Sequence, residues 1–267
     1  MKASQKKTVQ LLAVSILSIF LILTLVYLHR RFSFEKELDY FTINTKQNDT
    51  LSIGIIGDSW IADGQLDDLV HQNLIQAGVQ NRVLSSGKHG AMSKRIYQNL
   101  YGHNEQSKSS KFIIEEKPRY VIVIAGVNDA VGQVGGNFYA HHIEKIVNTL
   151  IRYEIQPVLL ELPEFGIIEA EARIGRIRSF RNRIFANFTN KGQIDNIKTY
   201  RQTLVKKLNS SQIMDEVIYV SFEGICDDYD NCLDLYKDPM HLSSKGNKIL
   251  ALTISDAILS DLNRQKN

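Results

Sequence analysis

The chain has 267 residues, more than one small domain needs and within the reach of one large α/β domain. With 43% hydrophobic, 23% charged and 9% aromatic residues and only 4 prolines, it is not disordered, collagen-like or low in complexity. Two cysteines exclude a disulfide-dense mini-protein, and their single spacing is not that of a zinc site. The net charge of +3 is local: residues 1–36 hold Lys2, Lys6, Lys7, Arg30, Arg31 and Lys36 against Glu35 alone, so the remainder is slightly acidic and nucleic acid is set aside as a partner.

Residues 1–8 form a short basic tail. Residues 9–28 read VQLLAVSILSIFLILTLVYL, without a strongly polar side chain apart from Gln10. About 20 such residues at roughly 1.5 Å each cross a hydrocarbon core of about 30 Å. A cleaved signal peptide would have a shorter apolar region and small residues at its cleavage site. Here the run ends in Tyr27-Leu28-His29-Arg30-Arg31, with no A-x-A pattern and no cysteine for a lipid. A buried core helix would show a polar stripe, and this segment has none. It predicts an uncleaved, single-pass transmembrane anchor. Lys2, Lys6 and Lys7 favour a cytoplasmic N-terminus while Arg30 and Arg31 compete, and the domain is expected outside the cytoplasm. Residues 29–50 are expected to be a stalk or linker, and residues 51–267 one domain.

Short β-rich runs then recur at 51–57, 82–87, 119–126, 156–163 and 216–222. Helical stretches separate them. In 136–153, Ile143, Ile146, Val147, Leu150 and Ile151 share one face, and Leu250, Ile254, Ala257 and Ile258 do the same after a possible N-cap at Ser243. Apolar strands alternating with helices imply a parallel sheet covered on both faces, with ligands at the carboxyl ends of its strands. Residues 164–200 contain no obvious strand and are expected to be helices over the sheet. Their arginines at 173, 176, 178, 181 and 183 do not share one helical face, which favours a solvated surface over an anion clamp.

The first strand ends in Gly57-Asp58-Ser59-Trp60, which sets a hydroxyl at the mouth of the sheet. By itself this is also an ordinary turn sequence. The second strand runs into Ser85-Ser86-Gly87-Lys88-His89-Gly90, whose glycines let backbone N–H groups approach a ligand. The third ends in Gly126-Val127-Asn128-Asp129. Asp238-Pro239-Met240-His241 precedes the last helix, and an aspartate three residues before a histidine can hold the imidazole in one tautomer while its other nitrogen faces a nucleophile.

In order and spacing these four blocks resemble the SGNH hydrolases, the GDSL-type esterase superfamily, over residues 51–262. The resemblance implies a three-layer α/β/α sandwich with a five-stranded parallel sheet of flavodoxin-like type, and neither metal nor cofactor. It implies Ser59 as nucleophile, His241 as base, Asp238 as the residue that orients His241, and Asn128 with the N–H groups of Ser59 and Gly90 as the oxyanion hole. Gly87 is the alternative to Gly90. Trp60 departs from the aliphatic residue of the GDSL pattern, as a core aromatic or as a wall that narrows the site. The implied activity is ester cleavage through an acyl-serine. An anchored domain outside the cytoplasm points to O-acetyl groups on a cell-envelope or extracellular polysaccharide. Acyl transfer to a sugar, lipid or thioester hydrolysis, and non-catalytic glycan binding on the same scaffold remain alternatives. The expected partners are an acylated carbohydrate or lipid ester and the membrane.

Other residues read more plainly. His141 and His142 diverge by about 100° on a helix and do not chelate together, and His142 is expected to be half-buried. His89 could reach the mouth of the site. Cys226 and Cys232 could form a disulfide in an oxidising compartment. Asp227, Asp228, Asp230 and Asp234 lack the glycine and terminal glutamate of an EF-hand and read as a solvated loop. Asn48, Asn187 and Asn209 head N-x-S/T triplets that matter only in a glycosylating host.

Overall fold

The computed structural model describes residues 2–43, 50–63, 65–102 and 109–265, with side chains from residue 11 onward. It divides into two units, Met1–Glu35 and Lys36–Asn267. The first is a single helix, α1 (Lys2–Phe32), whose segment Leu11–Phe32 is long and apolar enough to cross a membrane, with a mean hydropathy of 2.8. Leu11, Leu17, Phe20 and Leu23 are all exposed, and no polar stripe interrupts them. The helix continues past the expected end at residue 28, so Arg30 and Arg31 stand on its last turn, where cations suit the helix dipole.

The second unit alternates strands and helices as its periodicities demand. In order these are β1 (Leu51–Gly57), α2 (Ser59–Ala62), α3 (Leu66–Gln76), β2 (Asn81–Gly87), α4 (Ser93–Leu100), α5 (Lys111–Glu115), β3 (Tyr120–Ile124), α6 (Val127–Val131), α7 (Gly136–Arg152), β4 (Gln156–Leu160), α8 (Ile167–Arg173), α9 (Arg176–Thr189), α10 (Ile197–Ser210), β5 (Ile218–Val220), β6 (Tyr236–Asp238), β7 (His241–Leu242) and α11 (Ser244–Arg264). β1 to β5 form one sheet in the order β2-β1-β3-β4-β5, every pair parallel. α3 packs with α11, and α7 packs with α4 and α10, so helices cover the sheet on both sides. That is why Ile53, Ile55 and Ile56 of β1 and all of β3 are buried, with no polar face. Ile143, Ile146, Val147 and Leu150 fill the inner stripe of α7, Leu250, Ile254 and Ile258 that of α11, and Ser243 caps α11 by accepting from the Gly246 N–H at 3.2 Å.

Strand order reverses between β1 and β3, so chain leaving their carboxyl ends diverges and opens a crevice. β3, β4 and β5 end at Ile124, Leu160 and Val220, short of the expected ends at 126, 163 and 222.

The expected stalk needs correction. Residues 44–49, with Asn48, lie outside the described residues, but Lys36–Ile43 belong to the domain. The Leu38 N–H donates to the Tyr97 hydroxyl at 3.1 Å, and the Phe41 N–H to that of Tyr153 at 2.9 Å. The Phe41 ring lies 5.2 Å from the Tyr153 ring, and Arg152 pairs with Glu37 at 3.1 Å. Tyr40 and Phe41 make this short segment a strap.

Candidate active site

β1 delivers Ser59. Its last residue, Gly57, runs so close to β3 that an added Cβ would stand 2.4 Å from the Ile124 carbonyl oxygen. The chain then turns at once into α2, with Asp58 as N-cap accepting from the Trp60 N–H at 3.1 Å. Ser59 is thereby the first helical residue, its N–H among those a helix leaves without an internal acceptor.

β6 and β7 deliver the other two groups as a tight antiparallel hairpin. Asp238 pairs across it with His241, and Pro239-Met240 make the turn, proline supplying the fixed φ that its first corner needs. The His241 Nε2 lies 3.1 Å from the Ser59 Oγ, and its Nδ1 lies 2.9 and 3.0 Å from the two carboxylate oxygens of Asp238. Asp238 Oδ1 also accepts from the Met240 N–H at 2.9 Å and the His241 N–H at 3.1 Å. Partial burial opposes its ionisation, but these donors and the imidazole outweigh it and hold its pKa below the ordinary carboxylate value. The imidazole therefore faces a charged acceptor on one side and the serine on the other.

Trp60 is buried, and its indole N–H donates to the Met240 carbonyl at 2.7 Å. Of its two expected readings the core aromatic is the observed one, with an added duty. It ties the strand-end turn that carries Ser59 to the hairpin that carries His241.

Asn128 stands on α6, the second residue after Gly126. Gly126 has φ +124°, and a Cβ there would come within 2.9 Å of the Tyr139 ring, so glycine is required. The Asn128 Nδ2 donates to Asp58 Oδ2 and to the Ala91 carbonyl, both at 3.1 Å. Gly90 occupies an exposed turn at φ +69°, closed by Ala91 N–H to Lys88 carbonyl at 3.1 Å. Among the described residues its N–H donates to no backbone carbonyl. Gly87 is spent on packing, since a Cβ would lie 2.3 Å from the Ala62 nitrogen.

Two buried acids support these loops. Asp58 is fully enclosed, and desolvation raises its pKa to about 6 despite donors from Trp60 and Asn128. Asp129, next to Asn128, accepts from the Ser93 N–H at 2.8 Å and from its hydroxyl at 2.6 Å; burial raises its pKa to about 7. Asp129 thus ties α6 to the start of α4. Ser93 was not legible as a site residue, for nothing in its local sequence marks it; its role comes from β2 and β3 flanking β1.

The residues set aside fall away from the relay. His142 is completely buried and its Nδ1 bonds the Phe138 carbonyl at 2.7 Å, with burial lowering its pKa to about 3. His89 is exposed, its Nε2 3.9 Å from a carboxylate oxygen of Asp63. Cys226 and Cys232 form a disulfide. The neighbouring acids serve local turns: Asp227 accepts from the Gly224 N–H, Asp228 from the Asp230 N–H, and Asp234 pairs with Lys245. Asn187 and Asn209 lie exposed on α9 and α10.

No protein-family model matches the chain, and no curated protein matches it in sequence. Its architecture has counterparts among solved structures. It is similar to the lipase/acylhydrolase from Enterococcus faecalis, at 17% identity and a TM-score of 0.57 over 78% of this chain and 94% of that one. An acetyl xylan esterase aligns at 15% identity and 0.54 over 79% and 98%. The psychrotrophic esterase from a Pseudoalteromonas species, in a structure inhibited by monoethylphosphonate, aligns at 14% and 0.55 over 80% and 99%. What the chain shares with these GDSL-like lipases and esterases is the fold. Within it, Ser59, His241 and Asp238 stand as a hydrogen-bonded relay at the crevice between β1 and β3.

Proposed function

We propose that the chain is a membrane-anchored serine esterase that cleaves carboxylic esters through an acyl-serine intermediate, with O-acetyl groups of a cell-envelope or extracellular polysaccharide as substrate. The observation that carries this reading is the relay from Asp238 through His241 to Ser59. A serine hydroxyl is a weak nucleophile until a base takes its proton, and His241 Nε2 is within reach to do so. As the Ser59 Oγ bonds to the ester carbon, its proton passes to His241, and Asp238 stabilises the resulting imidazolium. Collapse of the tetrahedral adduct breaks the bond to the leaving alkoxide, which takes the proton from His241. Water, deprotonated by His241, then attacks the acyl-serine, releases the acid and restores Ser59.

The adduct's oxyanion is met by the N–H groups of Ser59 and Gly90 and by the Asn128 amide. Both Asn128 hydrogens are already engaged, on Asp58 and Ala91, so Asn128 serves the oxyanion by sharing one of them. The disulfide supports a domain in an oxidising compartment, outside the cytoplasm. Likeness to an acetyl xylan esterase supports an acylated carbohydrate. Treatment with an alkyl phosphonate, read by intact mass, should give one adduct, lost in Ser59→Ala and His241→Ala. Acetate should be released from acetylated polysaccharide by the same protein. A folded protein that takes up no phosphonate refutes the activated serine. Phosphonate uptake without acetate release refutes the substrate alone.

A further inference from the structure

Helix α9 turns an apolar stripe away from its own domain. Ile177, Phe180, Ile184 and Phe188 recur at i, i+3, i+7 and i+11, within an arc of about 80° at 100° per residue. They are 89%, 67%, 39% and 85% exposed, while Asn182, Phe185 and Ala186 on the opposite side are buried. Ile168 of α8 is exposed as well. A continuous apolar strip on one helix is not the scattered exposure of an ordinary surface.

The arginines whose scatter argued for simple solvation take on order here. On the helical wheel Arg176 and Arg183 border the stripe on one side and Arg181 on the other, and α9 contains no aspartate or glutamate. α8 adds Arg173 and one exposed acid, Glu169. Apolar side chains flanked by guanidinium groups are the pattern of a helix that lies in a membrane interface, with its stripe at the acyl boundary and its arginines on phosphates.

We propose that the α8–α9 face is a second membrane contact, an interfacial surface by which the domain itself lies on an anionic phospholipid bilayer. Charge complementarity argues for this occupant, and α1, long and apolar enough to cross a membrane, would hold the same chain at a bilayer if it is the anchor proposed above. A second copy of the chain fits less well, because a two-fold interface over α9 would set the same arginines against each other. The chain entering α8 is tied to the hairpin of the relay: the Gly166 N–H donates to the Pro239 carbonyl at 2.8 Å. The proposal does not depend on ester cleavage.

The test uses the full chain reconstituted in phosphatidylcholine–phosphatidylglycerol vesicles that contain bromine-labelled acyl chains. Phe180→Cys and Phe188→Cys carry bimane, with Leu252→Cys, an exposed apolar position on α11, as control; the two native cysteines are tied in their disulfide. Bimane at 180 and 188 should be quenched roughly twofold or more and at 252 hardly at all, with quenching falling severalfold when phosphatidylglycerol is omitted. The double variant Arg176→Glu, Arg183→Glu should weaken quenching while phosphonate uptake by Ser59 in detergent is unchanged. Quenching at 180 and 188 no greater than at 252 overturns the proposal. So does quenching indifferent to phosphatidylglycerol and to the arginine variant, because the anionic lipid is then not recognised. A bimane shift that follows protein density, with no quenching, means that a second copy covers the face, and also overturns it.

Discussion

Asn128 illustrates how one side chain couples stability to chemistry. Its amide nitrogen bonds the enclosed Asp58 carboxylate and, in the proposed mechanism, also meets the oxyanion. Asn128→Ala should therefore lower kcat by about 10²–10³ with little change in KM, since the bond strengthens only as charge develops; steady-state kinetics on a soluble ester reads both. Asp58 and Asp129 supply a separate prediction. Burial raises their pKa values to about 6 and about 7 from 3.8. In the fold they hold protons to a higher pH than in the unfolded chain, so their contribution to stability is full below the unfolded pKa and lost as pH rises through the folded values. Asp129→Asn, which cannot ionise, should gain stability relative to the parent as pH rises from about 4 to about 7 in thermal melts. A difference that stays flat over that range would mean that Asp129 is ionised throughout.

Close approach dominates at the level of elements. β2 passes α2 with room for no side chain at Gly87, where a Cβ would meet the Ala62 nitrogen at 2.3 Å and the Asp58 carbonyl oxygen at 2.7 Å. Those backbone atoms belong to the turn that carries Ser59. Gly87→Ala should cost about 1–3 kcal/mol in urea unfolding and slow phosphonate uptake, because α2 must shift to admit the methyl group. Gly90→Ala, open to solvent but at φ +69°, meets no neighbour and should show the smaller cost of a strained backbone alone, about 1 kcal/mol. The β6–β7 hairpin shows the complementary economy: two strands and a two-residue turn suffice to set Asp238 against His241.

Across the whole molecule, the strap at residues 36–43 gives the domain a beginning earlier than its first strand. Leu38 and Phe41 are half-buried against the tyrosines at 97, 101 and 153. A chain that starts at residue 50 should be less stable than one that starts at residue 36 by about 2–4 kcal/mol, a loss of roughly 5–10 °C in Tm by calorimetry. Equal melting temperatures would reduce the strap to a loose covering.

Much of this protein was determined by sequence alone. The strand–helix alternation set the parallel sheet, the final stripe behind Ser243 set α11, and Gly57-Asp58-Ser59 and Gly126-x-Asn128-Asp129 fell at one edge of the sheet, because strand and helix periods are local and parallel strands all end on the same edge. Tertiary structure decided what local periods leave open. The pairing of the Trp60 indole with the Met240 carbonyl and of Asp129 with Ser93 joins residues far apart in the chain, and no spacing encodes such contacts. α9 is the plainest case. Phe185 and Ala186 face the domain, while its larger apolar stripe, Ile177 to Phe188, faces out. Periodicity shows that a helix has an apolar side; only the packing of its neighbours shows what that side meets.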